Sequence, residues 1–157
     1  NVELAVVTLA PEVDPSLVAR TVWPDPLDFM APAGHPLCQV EPLDLAHLCQ
    51  YPVILPGGGT YTGQIVRALF ERRGLKLDIA MSTNYLETIR MMASVGFGWT
   101  VLPRSMSDPS LATLKIGEIR IERTLGIVYH RGRSLSRAAQ AFVEVLRDRP
   151  ASNANRP

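Results

Sequence analysis

The sequence predicts an α/β domain in which strands and helices alternate around a parallel sheet. Over residues 84–106, apolar residues at helical spacing are followed by a glycine and then by a β-prone run that closes at Pro103. Before this, a short apolar run at 53–55 precedes an amphipathic helix pattern. Strand, helix and strand in succession are typical of a parallel α/β sheet.

The front of the chain predicts one strand and one interrupted β segment. Residues 2–8 alternate little, which favours a buried strand. Residues 17–22 and 27–31 are β-prone, but Pro24 and Pro26 break the run and confine it to a sheet edge or a bend. A short helix is predicted over 42–48.

Two helices with clear apolar faces follow the strand at 53–55. The first spans 62–73, ends at Gly74 and carries its apolar face at Ile65, Val66, Leu69 and Phe70. A strand over 77–81 leads to the second helix, for which Asn84 is the predicted cap and Glu87 the capping-box acid. Its apolar stripe consists of Leu86, Ile89 and Ala93. Gly96 places the end of this helix at Val95.

The last third of the chain predicts an extended segment over 113–121, a strand over 124–129 and a helix over 137–146. The apolar residues in register on that helix are Ala139, Phe142, Val143 and Leu146. Residues 150–157 are polar, which predicts disorder.

Composition excludes several classes of protein. The 157 residues are 46% hydrophobic, which is enough for a real core. No run of about 18 apolar residues exists, so no membrane span is predicted. The first residues lack a basic segment before their apolar part, which argues against a signal peptide. With 16 basic and 15 acidic residues, the net charge of +1 does not favour a nucleic-acid surface.

The residues also argue against catalysis and against a metal site. His35, His47 and His130 lie far apart in sequence, without the spacing of a metal site. No G-x-S-x-G segment is present for a serine nucleophile. The three glycines at 57–59 are not followed by Gly-Lys-Ser/Thr, which excludes a nucleotide P-loop. We therefore expect no enzyme activity, no cofactor and no metal.

A binding chemistry fits the glycine run better. Glycines at 57–59 let backbone N–H groups approach a ligand, and the helix that begins near Thr62 directs its positive end to the same place. The candidate contacts are Gly58, Gly59, Thr60, Tyr61 and Thr62 on the first loop, and Asn84 and Tyr85 at the second helix start. Both starts follow the carboxyl ends of parallel strands, where α/β sheets bind ligands. The alternative is that Thr62 and Asn84 are only helix caps.

Four blocks of sequence resemble the effector-binding domain of LysR-type transcriptional regulators. These are the G-x-G step at Gly96 and Gly98 with its Leu-Pro strand end, residues 51–60, residues 123–132 followed by a helix over 134–147, and the His-Pro-Leu segment within 33–37. They occur in the family's order, and the likeness extends over residues 2–147.

The resemblance implies a fold and a division into lobes. The fold is a two-lobe α/β domain of the periplasmic-binding-protein type (type II), with the second lobe complete and the first truncated at its N-terminus. The expected parts are a partial first lobe with crossover (1–52), the second lobe (53–107), a segment with a return strand and helix (108–148), and a tail (149–157).

The resemblance also implies a function. The domain would bind a small, anionic effector between its lobes, with Thr8 on the opposite wall, and would relay binding to DNA-binding domains that this chain lacks. Homo-oligomer contacts would run through the helix at 62–73, whose partner helix is also missing, and the location would be cytoplasmic. Cys38 and Cys49 would be buried free thiols, and Trp99 a core residue.

Two other functions share this kind of fold. A periplasmic solute-binding protein would carry a signal peptide upstream. A deaminase or synthase would need a catalytic Lys, Asp or Cys in the cleft, and no such residue stands out in the sequence.

We expect this chain alone not to bind DNA sequence-specifically, because its net charge is +1 and it has no recognition helix. A gel-shift assay at physiological salt measures this. A sequence-selective shift would contradict the prediction.

Overall fold

Strands and helices alternate from α1 to β5, as the hydrophobic patterns predict, whereas strands follow one another directly at both ends of the chain. The computed structural model describes residues 2–147, so the predicted disorder of residues 150–157 lies outside the described part. The elements are β1 (Leu4–Thr8), β2 (Leu17–Pro32), α1 (Leu45–Leu48), β3 (Val53–Leu55), α2 (Tyr61–Glu71), β4 (Ile79–Ser82), α3 (Leu86–Ser94), β5 (Trp99–Pro103), β6 (Leu111–Leu114), β7 (Ile121–His130) and α4 (Arg137–Arg147). Short 3₁₀ turns occupy Pro36–Gln39 and Arg104–Met106. No helix within residues 2–147 is long and apolar enough to cross a membrane.

The chain divides into two compact units. Of the described residues, the terminal unit contains 2–25 and 123–147, and the central unit contains Pro26–Glu122. Strands β2 and β7 each carry the chain from one unit into the other. The lobe boundaries that the resemblance implies stay a prediction.

The central unit is built on a mixed sheet in which β3 lies between two parallel neighbours. Strand β3 pairs in parallel with β4 on one side and with β5 on the other. Strand β5 pairs antiparallel with β2, which also pairs antiparallel with β6. The predicted strand–helix–strand succession is thus a parallel sheet at β5-β3-β4, with antiparallel strands added beyond β5.

Both faces of this sheet are covered, and the alternation along the strands decides which residue faces which helix. One core cluster contains Val53 and Leu55 of β3 together with Val66 and Phe70 of α2. The other contains Ile54 together with Ile89 and Ala93 of α3. Because neighbouring residues of a strand point to opposite faces, α2 and α3 pack on opposite sides of β3. All three β3 residues are fully buried.

Trp99, at the start of β5, anchors the larger core cluster. Its ring stacks against Phe70 with centroids 5.7 Å apart and tilts against Phe29 at 6.0 Å. Its indole N–H donates to the carbonyl oxygens of Leu48 at 2.9 Å and Tyr51 at 3.2 Å. The core position expected for Trp99 is confirmed, and its N–H also ties the end of α1 to the sheet.

The terminal unit pairs β1 with β7 in antiparallel register, from Leu4 with Tyr129 to Thr8 with Leu125. Strand β1 is present as predicted, but the expectation that it is buried is wrong, because Val6 and Val7 are 44% and 37% exposed. Helix α4 buries Ala139 and Val143 of its predicted stripe but leaves Phe142 43% exposed.

An ion pair within the terminal unit ties β2 to β7. Arg123 Nε lies 2.6 Å from Asp25 Oδ2, and both side chains are largely buried.

Two element predictions need correction. Strand β2 is continuous through Pro24 and Pro26. These prolines are two residues apart, so both missing N–H groups lie on the same edge of the strand, and the pairing with β5 and β6 begins only at Leu27. The extended segment predicted over 113–121 is instead split between the end of β6 and the start of β7.

We expect Trp99→Phe to lower the free energy of unfolding by about 2–3 kcal/mol, because it removes ring atoms from the core and the donor shared by two carbonyl groups. Urea denaturation measures the change. The matched control is Trp23→Phe, since Trp23 is only half-buried and lies in the terminal unit. Equal losses in the two variants would contradict the role assigned to Trp99.

Candidate ligand-binding site at the ends of strands β3 and β4

The carboxyl ends of the adjacent parallel strands β3 and β4 lie side by side in the central unit. The chain leaves β3 towards α2 on one face of the sheet and leaves β4 towards α3 on the other. Adjacent parallel strands whose connections diverge in this way create the position at which open α/β sheets bind ligands. The two loops that border this position contain residues 56–60 and 83–85.

The first loop is a tight turn closed by Thr60. The Thr60 N–H donates to the Gly57 carbonyl at 2.9 Å, and the Thr60 hydroxyl donates to the same oxygen at 2.7 Å. That hydroxyl also accepts from the Gly63 N–H at 3.1 Å, which makes Thr60 the N-cap of α2. The alternative that Thr62 is the cap is therefore wrong. Thr62 lies inside the first helical turn and is 5% exposed.

Asn84 links the two loops instead of capping α3. Its side-chain Oδ1 accepts from the backbone N–H of Gly57 at 3.1 Å, across 27 residues of sequence. The N-cap position of α3 is Tyr85, which makes no side-chain capping bond. The predicted capping box at Asn84 and Glu87 is wrong, since Glu87 pairs with Arg90 at 2.9 Å.

The glycines of the loop divide into two kinds. A Cβ at Gly63 would lie 2.7 Å from the Pro56 carbonyl oxygen, so the backbone requires glycine there, whereas a Cβ at Gly57 would lie 2.8 Å from Asn84 Oδ1 and would displace that side chain. Gly58 and Gly59 are exposed, and a Cβ at either position would meet nothing closer than 3.9 Å. Among residues 2–147, the N–H groups of Gly58 and Gly59 have no hydrogen-bond partner.

The other predicted contact residues differ in accessibility. Tyr61 is half-buried at the start of α2, and Tyr85 is 76% exposed at the start of α3. Thr8 ends β1 in the terminal unit, opposite Leu125 of β7. The structure thus brings the two loops of the central unit together through Gly57 and Asn84.

Arg67 is a site residue that the sequence reading missed. One of its terminal nitrogens, Nη1, donates to the carbonyl oxygens of Pro56 and Gly63, both at 3.0 Å. The other, Nη2, donates to the Ser82 hydroxyl at 3.3 Å, and Ser82 in turn donates to the Leu55 carbonyl at 3.1 Å. Its position four residues after Gly63 was the available signal, because side chains on a helix point back towards the preceding turn.

Charged groups that follow the carboxyl end of β5 are paired with groups on α3. Arg90 of α3 lies 2.9 Å from Asp108, in the segment after β5. The Ser110 hydroxyl and then the Ser110 N–H hold the pKa of Asp108 below its usual value; desolvation opposes them, and the Arg90 charge adds a smaller lowering. These pairs fasten α3 to the sheet.

Residues 2–147 contain no cluster of His, Cys, Asp and Glu that could hold a metal ion. Cys38 and Cys49 are free and partly buried. Burial, followed by the nearby Asp44 charge, raises the pKa of the Cys49 thiol.

Loops placed at the carboxyl ends of diverging parallel strands are typical of α/β domains that bind small molecules, and comparison with known proteins gives the family of this chain. The model of the LysR substrate binding domain matches residues 1–151. The chain belongs to this family, with the periplasmic-binding-protein-like α/β fold that the sequence predicted.

The relatives of known role are transcriptional regulators. The RuBisCO operon transcriptional regulator of Acidithiobacillus ferrooxidans is 29% identical over 90% of this chain and 48% of its own length. The regulator of the same name from Allochromatium vinosum is 28% identical over 82% of this chain and 44% of its own length. The chain thus spans about half the length of these relatives.

Solved structures agree with this assignment. The CcmR regulatory domain of Synechocystis PCC6803, in complex with 2-PG, superposes with a TM-score of 0.78 at 26% identity, over 92% of this chain and 71% of that one. The cofactor-binding domain of the Cbl regulator shares the fold, with a TM-score of 0.81 at 23% identity, over 92% of this chain and 65% of that one.

We expect Gly63→Ala to destabilise the domain by about 2 kcal/mol, because the new methyl group would collide with backbone carbonyls of the glycine loop. Alanine at an ordinary helix position would instead stabilise by about 1 kcal/mol. Thermal and urea unfolding measure the effect, with the exposed neighbour Gln64→Ala as a control expected to stay within about 0.5 kcal/mol. A stabilised Gly63→Ala variant would refute the packing described for this loop.

Proposed function

We propose that this chain is the ligand-sensing domain of a LysR-type transcriptional regulator that acts in the cytoplasm. Family membership and the names of the relatives support this proposal over a periplasmic solute-binding protein or an enzyme of similar fold. The domain binds its ligand and does not transform it. DNA is contacted by a part of the regulator outside this chain, which is consistent with the net charge of +1.

The ligand is a small molecule with a carboxylate or phosphate group, bound where β3 and β4 end. The observation that best supports this ligand class is the turn of residues 57–60. In it, the backbone N–H groups of Gly58 and Gly59 have no hydrogen-bond partner among the described residues. The first turn of α2 adds the positive end of its dipole at the same place. The CcmR regulatory domain, which is similar to this chain, was solved in complex with 2-PG, and this supports a small-molecule ligand here as well.

The hydroxyl groups around this turn have different roles in the proposal. Thr60 contributes by keeping the loop closed, because its hydroxyl donates to the Gly57 carbonyl and accepts from the Gly63 N–H. Thr62 lies behind the turn, in the first turn of α2. Tyr61 and Tyr85 are the accessible hydroxyls of the two loops and provide contacts to the part of the ligand beyond its anionic group.

Ligand binding changes the equilibrium between arrangements of the regulator and thereby its activity on DNA. Homo-oligomer contacts run through the outer side of α2, as the resemblance implies.

We expect Asn84→Asp to weaken binding of 2-PG by about tenfold, which corresponds to ~1.4 kcal/mol. The substitution keeps an oxygen acceptor for the Gly57 N–H, so the loop stays closed, but it places a negative charge beside the proposed anion. Isothermal titration calorimetry measures the affinity, and thermal unfolding without ligand confirms that the fold is kept.

The control is Gln50→Glu, which makes the same change in net charge at an exposed residue after α1. Its affinity for 2-PG should equal that of the wild type. The proposal fails if neither 2-PG nor any other small carboxylate or phosphate binds, or if Asn84→Asp binds them as the wild type does.

A further inference from the structure

Helix α3 presents apolar side chains to solvent as well as to the core. Its inner side packs Ile89 and Ala93 into the smaller core cluster. On its outer side, Met91 and Val95 are 54% and 64% exposed, and Phe97, just beyond the helix, is 56% exposed. A surface helix of a globular protein normally turns a polar face to water, whereas a helix that is apolar on two sides is normally covered on both.

Met91, Val95 and Phe97 form the α3 patch. Met91 and Val95 are four residues apart and therefore lie on the same side of the helix. Gly96 adopts the left-handed conformation, with φ 96°, and the Phe97 N–H donates to the Met92 carbonyl at 3.2 Å. In a helix end of this Schellman type, the residue at the position of Phe97 is directed towards those at the positions of Met91 and Met92. The aromatic ring is thus carried by an ordered turn beside the helix.

Both charged residues of α3 are paired within the chain. Arg90 Nε lies 2.9 Å from Glu87 Oε2, and Arg90 Nη1 lies 2.9 Å from Asp108 Oδ2. The charges on the helix therefore balance one another beside the α3 patch. Two identical patches can meet without the like-charge repulsion that keeps copies of a charged surface apart.

The outer side of α2, through which the resemblance implies oligomer contacts, is chemically different. Its exposed residues are Gln64 and Glu71, and none of the large apolar side chains of α2 is exposed. Contiguous exposed apolar side chains mark interaction surfaces, and methionine and phenylalanine are enriched in interfaces. Exposed apolar surface therefore favours α3 over α2 as a place for contact with a second copy.

We propose that α3 is a self-association surface, on which a second copy of this chain packs its own α3 in antiparallel orientation. A two-fold axis that passes between Met91 and Val95 places Met91 of each copy against the partner's Val95, so the same contact is made twice. Antiparallel helices also place their dipoles favourably. This inference goes beyond the proposed function, because the contact is separate from the α2 contact and from the ligand site.

The size of the α3 patch determines how strong the association is. The exposed parts of its three side chains amount to roughly 300 Å² per copy, which is on the order of 600 Å² in a pair. With a rim of neighbouring groups, the contact reaches the low end of specific interfaces, at about 1,200 Å². We therefore expect a weak dimer that forms only at high concentration.

Sedimentation equilibrium over about 1 μM to 1 mM, the range of weak dissociation constants, tests the proposal. The wild-type chain should pass from monomer to dimer within this range. Val95→Glu and Met91→Lys should each weaken the association at least tenfold, because each introduces an unpaired charge into the contact. The matched control is Val145→Glu, since Val145 is 61% exposed on helix α4 of the terminal unit. It should associate as the wild type does.

A mixture of the two α3 variants tests the antiparallel pairing itself. In a mixed dimer, the glutamate introduced at position 95 faces the lysine introduced at position 91, while the second contact keeps its Met91 and Val95 side chains. Mixing Val95→Glu with Met91→Lys should therefore restore association to near the wild-type level. Thermal unfolding of each variant checks that the fold is kept.

Three results would overturn the α3 proposal. These are a wild-type chain that stays monomeric up to about 1 mM, equal losses of association in Val145→Glu and Val95→Glu, and mixed variants that do not associate. Gln64→Arg, on the outer side of α2, separates the two helices. Association lost in Gln64→Arg but kept in Val95→Glu would overturn the α3 proposal and leave the α2 contact of the proposed function standing. Titration with 2-PG tests the ligand site independently of all these outcomes.

Discussion

Burial of β3 on both faces is the constraint on which the central unit depends. Val53 and Leu55 need a cover on one side and Ile54 needs one on the other, so α2 and α3 must pack on opposite faces. The connections after β3 and β4 then have to diverge, and the placement of their two loops at the carboxyl ends follows from the packing of the core. The position of the proposed site is thus fixed by three buried apolar residues of β3.

Polar side chains stabilise the conformation of the glycine loop, residues 56–60, that follows β3. The Asn84 side chain accepts a hydrogen bond from the Gly57 N–H, the Thr60 hydroxyl donates to the Gly57 carbonyl, and the Arg67 guanidinium donates to the Pro56 carbonyl. Each bond satisfies a backbone group of a turn that has no regular secondary structure to pair it. The loop is therefore ordered by contacts from α2 and from the loop before α3, while its exposed tip at Gly58 and Gly59 is left out of this network.

The sequence predicted the elements of the central unit better than the contacts that join them. Hydrophobic spacing is local, so α2, α3 and the buried Trp99 were accessible from it. Pro24 and Pro26 favoured a break because the sequence does not show which edge of β2 carries the missing N–H groups. Asn84 was read as a cap, since the same side chain serves a nearby helix or a distant N–H equally well. Arg67 carried no motif at all, and only the fold shows it beside the glycine loop.

The close approach of Gly57 to Asn84 has an evolutionary consequence. A side chain at position 57 would displace the Asn84 oxygen and disturb its bond with the Gly57 N–H, so positions 57 and 84 are coupled. Substitutions at positions 58, 59, 61 and 85 break none of the hydrogen bonds that close the loop. Related proteins that bind other ligands are therefore expected to differ at these positions first. In the proposed site, the residues that close the loop are therefore different from those at its exposed surface, and the second set is free to diverge while the first stays constant.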